Sequence, residues 1–237
     1  MTGRIDISEL ISNHAVIDPG AKLGKDVSVG PFAIIEGDVV IGDGAQIHAN
    51  AQIKQYSRIG KNSRIFASSV IGEIPQDLKF SGEASELIIG DNTTVREFST
   101  LNRGTSDSGK TVIGSNCLLM AYVHIAHDCI VGDNTILANG VQLGGHVEIG
   151  NHVTIGGMTP VHQFCKVGDY AFVGGGYRIV QDVPPFIMAM GEPLRFSGLN
   201  SVGLRRKNFS AETRTALKRA YKLIYQSELN RTQAVKK

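Results

Sequence analysis

The sequence predicts an all-β solenoid, a parallel β-helix of hexapeptide repeats, carrying a C-terminal α-helical extension. Two observations predict the solenoid. From Ile11 an aliphatic residue recurs at every sixth position through Val29, Ile47 and Ile65 to Ile71 without a miss, and a second unbroken run extends from Ile113 to Ile179. Two positions before each aliphatic stands a small residue, as at Ala15, Ala33, Ala51 and Ser69. A period of six fits neither an amphipathic helix nor an alternating strand. It fits one short strand plus one turn per repeat. The third observation predicts the extension: past Asp182-Val183-Pro184-Pro185 the pattern stops and spacing becomes helical.

In chain order, each hexad sends its aliphatic inward, its small residue to a corner, and often a glycine into the turn that follows (Gly24, Gly30, Gly42, Gly60, Gly72). The N-terminus MTGRIDISEL has no basic segment leading an apolar one, so no signal peptide is expected. The clock pauses at 72–88 and again at 102–112, and insertions in a solenoid emerge as loops on one side. Asp77 and Lys79 lie in the first loop, as candidate functional residues or as solubilising ones. The solenoid is expected over 1–185, because two prolines do not continue a ladder. Residues 186–237 read as a connector and a helix capped by Ser210, with an apolar stripe Leu217, Ala220, Tyr221 and Ile224 and a basic stripe Arg214, Lys218 and Lys222. The chain stops at Lys237 without an obvious cap, as a truncated chain would.

Charge is divided along the chain. From Arg195 onward eleven Lys/Arg face two acidic residues, a net +9, while residues 1–194 hold 13 bases and 20 acids, a net −7. A basic tail on an acidic body fits an anionic partner or a solvated helix face. No apolar run approaches the roughly 20 residues of a membrane span, and three cysteines without framework spacing fit a reducing, cytoplasmic setting. Cys117, Cys129 and Cys165 all take the small inward position.

Five of the seven histidines fall between Leu119 and Cys165. If three hexads close one triangular turn, residues eighteen apart stack in adjacent coils, about 4.8 Å apart. His127 then stacks with Gly145 and Gln163, each two positions after its inward aliphatic, and the column points outward. That is either a site or a surface histidine at a turn. His124 and His127, or His146 and His152, have no clear carboxylate partner of the kind a metal site needs, so no metal is expected.

The segments IGEIPQDLKF (71–80), RGT (103–105), HIAHDC (124–129), ILAN (136–139), IGGMTPVHQFC (155–165), QDVPP (181–185) and AYKLIY (220–225) resemble the family of UDP-N-acetylglucosamine O-acyltransferases that open lipid A synthesis in Gram-negative bacteria. The resemblance runs from about residue 5 to about residue 226. It implies a left-handed parallel β-helix, three chains per molecule, and active sites between neighbouring prisms. The implied reaction moves an (R)-3-hydroxyacyl group from acyl carrier protein to the sugar 3-hydroxyl, with no cofactor and no covalent enzyme intermediate.

By the same resemblance His127 is the general base, the Gly145 amide holds the oxyanion, and Asp128 orients the base. Asp77 and His146 hold the glucosamine hydroxyls. Lys79, His124, His162 and Gln163 line the nucleotide-sugar or acyl path. Asn200, Arg206 and Lys207 meet the uridine end, Gly175 sets acyl-chain depth, and the basic helix receives acyl carrier protein. No nucleic acid is implied. Three residues depart from the family pattern: Val202 replaces a glutamate, Lys207 a second arginine and Pro193 a histidine. They leave open the chain length and the choice between UDP-N-acetylglucosamine and a 3-amino analogue. An N-acyltransferase of the same pathway is less compatible, because hexads starting by Ile11 precede any room for its extra N-terminal domain. A zinc-holding, carbonic-anhydrase-like solenoid is the alternative of another class.

Overall fold

The computed structural model describes residues 10–236. The signal-peptide reading therefore falls almost wholly outside the described residues, as does Lys237. Three sheets form the walls of a triangular prism. Sheet 1 runs from Val16–Ile17 to Pro160–Val161 and sheet 2 from Lys22–Leu23 to Lys166–Val167, eight strands each. Sheet 3 has ten strands, from Ser28–Val29 to Arg195–Leu199. As far as Phe172–Val173, successive strands belong to sheets 1, 2 and 3 in turn, so one coil spends one strand on each wall. Pairing is parallel apart from the last pair, and Ile125 stands over Leu143 and Leu143 over Val161, the expected step of eighteen. The fold is a left-handed parallel β-helix.

The aliphatic column forms the core. Ile53, Ile65, Ile71, Leu101, Leu119, Ile125 and Leu137 are all fully buried, each worth about 1.5–3 kcal/mol against exposure. The small inward residues Ala33, Ala51, Ser63, Ser69 and Cys129 are buried beside them. All three cysteines are buried and free.

Gly72, at φ 82°, takes the left-handed turn conformation itself, but the other glycines of this position do something else. The left-handed backbone falls two residues later, at Asp26, Asn62 and Asp128 among others. Glycine after the aliphatic instead permits close stacking of coils: a Cβ at Gly42 would lie 2.7 Å from the Lys61 nitrogen and one at Gly132 2.7 Å from the Gly150 carbonyl carbon.

Three boundaries differ from the sequence reading. Strands reach into both interruptions, at Val70–Glu73 and Glu86–Ile89, then at Thr100–Asn102 and Lys110–Ile113. The loops are therefore 74–85 and 103–109 rather than 72–88 and 102–112. The extra strand residues pair in register across the coils, which the broken clock hides. The solenoid also continues past Pro185. Val183 bridges to Val167, and Ile187–Met190 adds in parallel to Phe172–Val173. The prolines occupy the corner between those strands, where no ladder donor is required. The connector contains an antiparallel hairpin, Ile187–Met190 with Arg195–Leu199.

Beyond it come α1 (Ser201–Arg206), α2 (Ala211–Gln226) and α3 (Arg231–Val235). Ser210 caps α2 as expected, accepting from Thr213 N at 3.1 Å. Tyr221 is the buried residue of its stripe; it donates to the Pro185 carbonyl at 2.7 Å and stacks on Phe196. Ala220, expected in the apolar stripe, is exposed.

Candidate active site

Each excursion leaves sheet 1 and re-enters sheet 2, so both loops overhang a single edge of the prism. The same edge carries His127, Asp128, Gly145, His146, Gln163 and Phe164 in successive coils. The insertions thus convert a convex corner into a cleft of about 310 Å³, lined by Asp77, Lys79, Phe80, Thr105, Asp107, His146 and Phe164 among others.

His127 Nδ1 lies 2.7 Å from Asp128 Oδ2. An anionic carboxylate accepts, so the proton belongs on Nδ1 and Nε2 keeps its lone pair. The Asp128 backbone is left-handed, φ 59°, and its side chain is fully buried. Its oxygens accept from Thr105 N at 3.0 Å, Thr105 Oγ1 at 2.7 Å and Ser108 Oγ, in addition to His127. Burial pushes the Asp128 pKa up, but the hydrogen bonds from Ser108, Thr105 and His127 outweigh it and bring the pKa down to about 2. Asp128 is therefore a carboxylate at any working pH.

The His127 ring lies against the Gly145 backbone. A Cβ on Gly145 would come within 2.7 Å of Cε1 and 2.8 Å of Nε2. Gly145 is buried, and among the described residues its N–H meets no acceptor. At the edge between sheets 2 and 3 the same hexad position is capped by a side chain from the next coil, Lys25 N by Asp43, Ser115 N by Asp133 and Asn151 N by Asp169, whereas at the edge of His127 the amides of His127 and Gln163 share the uncapped state of Gly145 among the described residues. At Gly145 the residue one coil on is Gln163, which makes no such bond. A donor has been left open beside a ring nitrogen.

His146 adjoins this pair, edge to face with His127 at 5.2 Å between centroids and stacked on Phe164 at 4.7 Å. Its Nδ1 lies 3.5 Å from Asp107. His127, Asp128 and His146 place three ligand-type atoms within 4.8 Å of one another. The Asp128 oxygens, however, already accept two hydrogen bonds each, so the chemistry of the set fits an oriented base better than a metal ion.

The remaining expected residues are distributed. His162 and Gln163 are exposed at the same edge, one coil beyond Gly145. His124 lies on the outer face of sheet 1, 2.8 Å from Thr100 Oγ1, and burial holds its pKa below the usual histidine value. Gly175 sits at the edge between sheets 3 and 1, exposed, against the Gly157 backbone. Asn200 lies at the edge between sheets 2 and 3, its amide donating to Tyr170 O at 2.9 Å and accepting from Gly203 N as the cap of α1. Arg206 and Lys207 are exposed at the other end of that helix. One chain thus gathers the first group and holds the others at separate edges. Thr105 and Ser108 escape the sequence reading; the RGT segment marks the first, without a role.

A family model described as UDP-N-acetylglucosamine O-acyltransferase, domain 2, matches residues 182–237, and one for bacterial transferase hexapeptides matches 20–55 and 110–145. The acyl-[acyl-carrier-protein]–UDP-N-acetylglucosamine O-acyltransferase of Thiobacillus denitrificans is 55% identical over 212 residues, 89% of this chain and 82% of the relative. Its counterpart in Aliarcobacter butzleri is 51% identical over 217 residues, 91% of this chain and 84% of the relative. The solved structure of the Moraxella catarrhalis UDP-N-acetylglucosamine O-acyltransferase matches with a TM-score of 0.93 at 45% identity, covering 96% of this chain and 89% of that one. With a shared fold and about half its residues in common with these enzymes, the chain is an acyltransferase belonging to the acyl-[acyl-carrier-protein]–UDP-N-acetylglucosamine O-acyltransferase family.

Proposed function

We propose that the enzyme transfers an (R)-3-hydroxyacyl group from acyl carrier protein to the 3-hydroxyl of UDP-N-acetylglucosamine by direct general-base catalysis, as the first step of lipid A synthesis. The observation that carries the mechanism is the pairing of His127 Nε2, freed by the bond from Nδ1 to Asp128, with the open Gly145 N–H. Nε2 takes the proton of the sugar hydroxyl as its oxygen attacks the thioester carbonyl. Gly145 N–H donates to the oxyanion that forms. Collapse breaks the carbon–sulfur bond, and the imidazolium returns its proton to the departing thiolate. A positioned base contributes about 10²–10⁴-fold and an oxyanion donor about 3 kcal/mol. No metal or cofactor takes part.

Asp77 and His146 hold the glucosamine hydroxyls in the cleft beneath the loops, with Lys79, His124, His162 and Gln163 along the path. Gly175, Asn200, Arg206 and Lys207 lie on other edges, so a homotrimer completes the site, a neighbouring chain bringing its edge to the cleft. The exposed basic residues of α2, Lys218 and Lys222, suit an acidic carrier protein. Among the described residues no helix is long and apolar enough to cross a membrane, and the reaction is assigned to the cytoplasm.

The test supplies purified protein with UDP-N-acetylglucosamine and a series of hydroxyacyl carrier proteins, and identifies the product by mass spectrometry and NMR. The expected result is acylation at the sugar 3-oxygen by a protein whose light-scattering mass is three chains. Acylation at nitrogen, or no acylation with any donor, contradicts the reading.

A further inference from the structure

The groups that hold the base come largely from outside its own coil. We infer that Thr105 and Ser108, on the 103–109 loop, are positioning residues that fix the Asp128 carboxylate and, through it, the proton-accepting face of His127. The inference rests on the reading of His127 as general base. Of the four side-chain acceptor bonds of Asp128, three come from this loop and one from His127. Both oxygens are engaged, so the carboxylate plane cannot turn, and one direction on Oδ2 remains for Nδ1 of the imidazole. The Asp128 backbone is held separately, its N–H donating to Thr111 Oγ1 at 2.8 Å.

The loop is built to hold still. Gly104 forms its neck, where a Cβ would come within 2.3 Å of the Lys110 nitrogen, and Gly109 closes it at φ 73° with a 2.8 Å bond to the Thr105 carbonyl. Asp107 N donates to Thr105 Oγ1 at 3.2 Å, leaving the hydroxyl proton for Asp128. Arg103, 8% exposed, sets its guanidinium carbon 5.0 Å from the Tyr56 ring centroid and 5.3 Å from that of Phe80. Ser106 N donates to Glu83 at 3.0 Å. Arg103 and Ser106 thereby tie the loop bearing Asp77 and Lys79 to the clasp on the base. Substrate loop and base orientation are set by one seven-residue segment.

The titratable groups facing the carboxylate are His127, His146 with its Nε2 3.8 Å away, Cys129, and Asp107 beyond His146. Removing a hydroxyl donor takes away one of the bonds that hold the Asp128 pKa down and leaves Asp128 more basic, so the acid limb of the pH–rate profile moves to higher pH.

The experiment measures kcat, KM for UDP-N-acetylglucosamine and the pH profile for Thr105→Val, Ser108→Ala and Thr105→Ser, with His127→Ala in parallel. Expected are a kcat loss of about tenfold or more for Val and Ala, a KM little changed, an acid limb moved to higher pH, and recovery of turnover in Thr105→Ser relative to Thr105→Val. The inference is overturned if folded Thr105→Val and Ser108→Ala keep wild-type kcat and pH profile while His127→Ala is inactive. It is also overturned if Thr105→Ser is as impaired as Thr105→Val. If His127→Ala itself turns over normally, the underlying reading fails instead. Should Thr105→Val not fold, Ser108→Ala decides.

Discussion

At the scale of the residue, the proposed chemistry depends on two atoms and the space between them: His127 Nε2 and Gly145 N. The ring lies so close that a methyl group on Gly145 would fall within 2.8 Å of Nε2. Gly145→Ala should therefore displace the base and cost roughly 10²-fold in kcat, with the thermal unfolding midpoint nearly unchanged; undiminished kcat would refute the contact. Asp128 carries a second prediction. Its pKa is lowered from 3.8 to about 2, so the stabilisation is complete above the unfolded value and is lost as pH falls through the folded one. Unfolding free energy of the wild type should drop by about 2 kcal/mol between about pH 5 and pH 2 beyond any drop in Asp128→Asn. Parallel stability curves for the two proteins would show that the carboxylate contributes nothing. The stacking of His127 on Gly145 was legible from the step of eighteen, and the bond to Asp128 was only hinted at by adjacency. Thr105 and Ser108 were not legible, because they reach Asp128 from a loop that interrupts the repeat, and column arithmetic does not cross an insertion.

At the scale of the element, the hexad is a strand of two residues that owes its stability to copies above and below. Its glycine serves that stacking. Gly132 would place a Cβ 2.7 Å from the Gly150 carbonyl carbon and 2.8 Å from the Asn151 nitrogen, both backbone atoms of the next coil. Gly132→Ala should cost about 1–3 kcal/mol, read as a lowered midpoint in urea; no change would mean the coils can separate without penalty. The period locates the core column from Val29 onward, since Ile65, Leu119 and Ile125 all lie where it puts them, while Ile11 in the first coil is 42% exposed and Ile17 and Leu23 are half-buried. It misplaced the glycine's role, because a period records where a residue recurs and not which neighbour excludes its side chain. It also overran the loops, since strand residues such as Leu87 and Thr111 pair outside the six-residue rhythm.

At the scale of the whole molecule, three edges carry three different chemistries. The loops overhang the edge of His127, Asn200 caps a helix at the second, and Gly175 lies at the third. A prism cannot bring its own edges together, and this is the physical reason a trimer is proposed. Charge is also segregated, with an acidic solenoid and a basic end. Lys218→Glu with Lys222→Glu should raise KM for the acyl carrier protein about tenfold or more, most strongly at low salt, with KM for the nucleotide sugar unaltered. An unchanged KM for the carrier would place its docking elsewhere. In the proposed mechanism this architecture serves one proton transfer at one edge, so the most direct measurement is the initial rate of acyl transfer by His127→Ala beside the wild type. A rate lower by about 10²–10⁴-fold in a folded protein is expected; turnover within about twofold of the wild type would exclude His127 as the general base, since a group supplying that factor cannot be absent without its loss.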